Sequence, residues 1–150
     1  MSELSKDDQF FLDILNRVLR DVSNGVNTLS VPERTLYYVN NFSYQCDNGG
    51  LSQFFYNCDC EPSFLKATES ALLEVGAAKA AGILRTAASL FTSPPNGTLG
   101  STWGQYLKAV DPKGRLHDFD QQLPVEDEEL DELLERFVVN NRHELQEPKS

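Results

Sequence analysis

Apolar residues recur at helical spacing along almost all of this chain, and two adjacent glycines, Gly49 and Gly50, interrupt the pattern. Phe10, Phe11, Ile14, Leu15, Val18, Leu19 and Val22 form a wide stripe at i, i+1, i+4 and i+5, which predicts a first helix. Ser5 with Asp8 resembles a capping box in which Asp replaces the usual Glu, and Asn24-Gly25 ends the helix. Ser30-x-x-Glu33 is a second capping box, and its Pro32 lies in the first turn, where a missing N–H is harmless. The helix it opens is expected to reach about Tyr44. Pro62 should begin another helix that stops at Val75-Gly76, and residues 77–91 an alanine-rich one. Gly82 inside that last helix costs about 1 kcal/mol relative to alanine, which the close approach of a neighbour would explain. With no strand alternation, internal repeat or low-complexity run, the predicted class is all-α, an irregular bundle of about six or seven helices.

Around the glycines the sequence is Asn48-Gly49-Gly50-Leu51-Ser52-Gln53-Phe54-Phe55-Tyr56-Asn57. Two glycines permit positive φ or close approach of another segment. If residues 51–57 are helical, Gln53 and Asn57 stand at i and i+4 on one face, while Phe54 and Phe55 look inward. The physical expectation is a helix start with a buried polar clamp, and it names no reaction.

These residues carry a resemblance. The order of a helix, N-G-G-x-x-Q-[YF]-[FW]-x-N, and a second helix ending in a small-residue turn is similar to the DNA-mimic protein family, small bacterial domains of unassigned function. Asn48, Gly49, Gly50, Gln53, Phe54, Phe55 and Asn57 match the first mark and Val75-Gly76-Ala77 the second. The resemblance is strongest over residues 29–91, with a looser echo at Phe137-Val138-Val139-Asn140-Asn141-Arg142. One departure is Gln45, which stands where the pattern leads one to expect an acidic residue, with Asp47 two places later. The family implies a helix-turn-helix transcription regulator as the class of partner.

A chain of 150 residues is expected to form one domain, 1–150, burying about two-thirds of its unfolded surface. The linker-like stretch 92–101 is read as a loop, because Trp103, Tyr106, Leu107 and Val110 beyond it offer an apolar face to the preceding helices. Three cysteines, an odd number, and a start without a signal-like segment point to a cytoplasmic protein with reduced thiols. The formal charge of −10 is uneven: residues 1–100 hold eleven acids against seven Lys or Arg, and the final third, 101–150, twelve against six. Such a surface repels nucleic acid and anionic membrane, so the expected partner is a basic protein.

Nine carboxylates fall within residues 118–135 with no Lys or Arg among them. A helix starting at about Glu126 would put Leu130, Leu133, Leu134, Phe137 and Val138 on one face and Asp127, Glu128, Asp131, Glu132 and Glu135 on the other. Nine charges on a continuous helix would average about 3 Å apart, near the ~3.4 Å per phosphate of one DNA strand, although Pro124 opposes continuity. Asp118, Asp120, Asp127, Glu128, Asp131, Glu132 and Glu135 are therefore the candidate partner-binding surface, chosen from charge and periodicity. The bland alternative is a solvated acidic face that keeps the chain soluble.

No nucleophile elbow, P-loop, dinucleotide fingerprint or H-E-x-x-H occurs, and the spacing of Cys46, Cys58, Cys60, His117 and His143 fits no zinc site. No metal or cofactor is expected, and no catalytic residue is assigned. Cys46 as a nucleophile would need His117 or His143 brought to it by folding; a buried structural thiol is the simpler expectation. The first functional expectation is a non-enzymatic acidic binding protein that imitates DNA on a basic transcription regulator. A second is a small enzyme or ligand-binding domain using a pocket near Asn48, Gln53 and Asn57, lined by Tyr37, Tyr38, Tyr44 and Tyr56. A third is a toxin-neutralising protein, and a homodimer is compatible with any of them.

Overall fold

The computed structural model describes residues 4–91, 102–123 and 129–146. Among them are eight α-helices and no strand. They are α1 (Lys6–Asp21), α2 (Val31–Asn57), α3 (Pro62–Glu74), α4 (Ala78–Ala88), α5 (Trp103–Val110), α6 (Arg115–Gln122), α7 (Leu130–Asn140) and α8 (Arg142–Gln146). The all-α irregular bundle is as expected. The helix number is slightly larger because Gly114, at φ 68°, separates α5 from α6 and Asn141 separates α7 from the short α8.

Both expected capping boxes form. Ser5 Oγ accepts from Asp8 N at 3.0 Å, and Ser30 N donates to Glu33 Oε1 at 2.8 Å. Glu33 is buried and also meets Arg17 at 3.4 Å. Arg17 in turn donates to the Leu145 carbonyl at 2.6 Å, which ties α8 to α1 and α2. Gly76, at φ 94°, ends the third helix as its sequence indicates.

Helix α2 is the axis of the molecule and packs against α1, α3, α6, α7 and α8. It runs past Tyr44 without interruption; its break comes at Gly49 (φ −149°, ψ 17°) and Gly50 (φ 73°, ψ −175°), where Gly50 adopts a conformation that L side chains rarely reach. Leu36, Val39 and Phe42 before the break and Leu51, Phe54 and Phe55 after it are all fully buried, so both halves of α2 build one core. Beyond residues 92–101, Thr102 caps α5 with a third capping box. Trp103 Nε1 then donates to Ser52 Oγ at 2.9 Å, and Tyr106 is buried beside Phe91, so α5 docks on the earlier helices as its apolar face predicts. Gly82 does not follow the expectation: a Cβ there would meet nothing closer than an Arg85 nitrogen at 4.0 Å, so no neighbour demands the glycine.

Candidate functional site

Three side-chain hydrogen bonds among four residues, and one contact to the backbone, hold the break in α2. Gln45 Oε1 accepts from Gln53 Nε2 and from Asn57 Nδ2, both at 2.7 Å. Asn48 Nδ2 donates to Gln53 Oε1 at 3.3 Å. Gln53 and Asn57 thus share a face as their i, i+4 spacing requires, but the clamp sits at the surface and is not buried: Gln45 and Gln53 are half-buried, and Asn48 and Asn57 are exposed. Gln45 supplies the acceptor that a carboxylate would supply at the same place. Glycine at 49 is required by the clamp, since a Cβ would stand 2.8 Å from Gln53 Cβ.

The remaining contact comes from a distant helix. Asp120 Oδ1, on α6, accepts from Leu51 N at 2.8 Å and so caps the helical segment that restarts after the break. Its other oxygen, Oδ2, lies 2.8 Å from where a Cβ on Gly50 would be. A side chain at position 50 would push away the carboxylate that caps the next residue.

Where α6 meets the break, a cleft of about 470 Å³ opens. Phe42, Ala80, Leu123 and Leu130 give it apolar walls, and Ser43, Cys46, Asp47, His117 and Asp120 give it polar ones. Folding does bring His117 into the same cleft as Cys46. Burial first, and then the negative charges of Asp120 and Asp47, push the Cys46 thiol well up, the reverse of what an activated nucleophile needs. Cys60 is likewise raised, to about 12, chiefly by burial. The expected tyrosine pocket takes a different form: a second hollow on the clamp side includes Tyr37, Asn41, Gln45, Asn57, Glu61 and Phe64, whereas Tyr44 and Tyr56 are exposed. Among the described residues, no three His, Cys, Asp or Glu side chains converge to hold a metal ion, and no helix is long and apolar enough to cross a membrane.

The acidic candidates do not form one continuous helix. α6 ends at Gln122 and α7 starts at Leu130, four residues later than the expected Glu126, so the estimate of one charge every 3 Å along a single axis does not apply. Asp127 and Glu128 lie outside the described residues. Leu134, Phe137 and Val138 are buried as the periodicity predicts, and Asp131 and Glu132 are exposed in the first turn of α7. Asp118 is exposed on α6, whereas Asp120 is half-buried at the break. Glu135 turns onto α1 and hydrogen-bonds Asp8. That hydrogen bond holds the Glu135 carboxyl above its ordinary range, reinforced by the charges of Asp8, Asp7 and Glu132. The same bond, with those from Ser5, lowers Asp8. Asp7 and Asp8 therefore join the anionic face of α7, which their sequence position gave no means of seeing: Asp8 reads only as a cap. Arg142 limits the patch, donating to Asp7 Oδ1 at 2.7 Å while lying 4.9 Å over the Phe10 ring.

A family model described as DMP19-like protein matches residues 27–141. The chain belongs to the DMP19-like protein family. Searches of curated proteins and of solved structures find no match. The DMP19-like segment is longer than the stretch 29–91 that carries the resemblance most strongly, and it takes in the break, the cleft and all of α7. Asp7 and Asp8 fall outside it, so the contribution of α1 to the acidic face is made by residues that the DMP19-like match does not reach.

Proposed function

We propose that the protein is a non-enzymatic acidic binding protein that occupies the DNA-binding face of a basic, helix-turn-helix type regulator. One observation carries the proposal: α1 and α7 pack side by side and present Asp7, Asp8, Asp131, Glu132 and Glu135 on adjoining surface, where the Asp8 carboxyl lies close enough to raise that of Glu135. Repulsion of this kind works against folding, so an attractive partner gains from relieving it. Carboxylates would pair with the Lys and Arg side chains that otherwise hold phosphates, and DNA and this protein would then compete for one site. Membership of the DMP19-like family agrees with this reading, since the resemblance implies the same class of partner.

The test is affinity capture from native cytosol at low and at raised salt, with captured proteins identified by mass spectrometry. A basic DNA-binding protein that is released by salt and displaced by its own DNA supports the proposal. Retention of nothing basic at low salt, or unchanged binding by the Asp131→Lys/Glu135→Lys variant, sinks it.

A further inference from the structure

The cleft at the break is not used by the acidic face, and its chemistry selects a ligand class. At about 470 Å³ it falls within the range of roughly 300–1,000 Å³ usual for small-molecule sites. Two carboxylates, Asp47 and Asp120, stand in its wall, and no Lys or Arg is found among its described lining residues. An anion is therefore disfavoured. A wholly apolar ligand would cover the half-buried Ser43 and Asp120, and covering polar groups without giving them a partner is costly. The geometry points to an organic cation, an ammonium or guanidinium head on a short apolar stem, as the ligand of this cleft.

Two features pre-organise it for such a group. Asp120 is held in place because Leu51 N donates to Oδ1 at 2.8 Å, so its second oxygen is presented without reorganisation. Gly49 and Gly50 lack side chains at the floor, and a Cβ on Gly50 would intrude within 2.8 Å of that oxygen. The stem would lie along Phe42, Ala80, Leu123 and Leu130.

The test is an NMR titration of the ¹⁵N-labelled full chain with n-butylguanidine and n-butylamine, using n-butanol and butyrate as neutral and anionic controls. The expected result is a saturable change at the amides of Ser43, Asp47, Gly49, Gly50 and Gln121 with the two cations, and binding of butanol about tenfold weaker or absent. Asp47→Asn, at an exposed position, should weaken amine binding about tenfold, and Gln121→Lys, which places a cation in the wall, should abolish it. Equal binding of butanol and butylamine, wild-type affinity in both variants, or linear unsaturable changes centred on Asp7, Asp8 and Glu132 would each overturn the inference. It stands apart from the mimic proposal, because capture of a basic partner does not depend on whether these amides respond.

Discussion

At Gln45 one amide oxygen receives both Gln53 and Asn57 at 2.7 Å, so a single acceptor carries two of the three side-chain hydrogen bonds that join the halves of α2. Gln45→Ala leaves both donors to water, and because the group is half-buried the loss should be about 1 kcal/mol by urea unfolding at neutral pH. Gln45→Glu keeps both hydrogen bonds and makes them charge-assisted, so it should match or exceed wild-type stability at neutral pH. The sign with pH follows. Two donors lower the folded-state pKa of the introduced carboxylate below its unfolded value of about 4.3, so its stabilisation is present above that value and is lost as pH falls through the folded one. A Gln45→Glu protein less stable than Gln45→Ala at neutral pH would mean that the oxygen at this position is not the acceptor that matters.

The helices themselves make two further outcomes readable. In α4, Gly82 has open space where a Cβ would go, so Gly82→Ala should raise stability by about 1 kcal/mol in denaturant unfolding; a loss would reveal a requirement that the backbone does not show. Between α1 and α7, Glu135 has a raised pKa, so the stabilisation from its protonated form is present at low pH and is lost as pH rises through the folded-state value. Glu135→Gln donates to Asp8 at every pH. It should melt with wild type in acid and above it near neutrality, a divergence that thermal scans across pH would record; parallel curves would contradict the shared-proton contact. These elements also show what was legible in the sequence. The caps at Ser5 and Ser30, the stripe of α1, the inward Phe54 and Phe55 and the docking of Trp103 and Tyr106 all follow from local spacing, which fixes which face of a helix is buried. The pairing of Asp120 with Leu51, of Glu135 with Asp8 and of Arg17 with Leu145 joins residues far apart in the chain, and no periodicity reports on such contacts. The expected end of α2 near Tyr44 falls short because no apolar stripe continues through residues 45–48, yet their backbone stays helical until glycine supplies the break.

Across the whole molecule, a formal charge of −10 sets the condition under which every local contact is measured. Repulsion among the carboxylates of α1 and α7 reaches over distances comparable with the Debye length, which shortens from about 30 Å at 0.01 M salt to about 8 Å at 0.15 M. Added sodium chloride should therefore raise Tm over that range by screening the folded state more than the expanded one, in which the same charges are farther apart. Asp131→Lys/Glu135→Lys changes the net charge from −10 to −6 and gives Asp8 a cation to face, so it should start at a higher Tm in low salt and respond less to added salt. Partner binding moves the other way, weakening with salt in wild type and lost in the variant at any salt, because attraction to a basic surface is screened by the same ions. Calorimetry of both proteins in a chloride series, with binding measured in the same buffers, separates the two roles of the acidic face. A variant that gains stability while losing the partner places the cost of the acidic face on folding and its benefit on recognition; a variant that gains stability and keeps the partner leaves solubility as the role of these carboxylates.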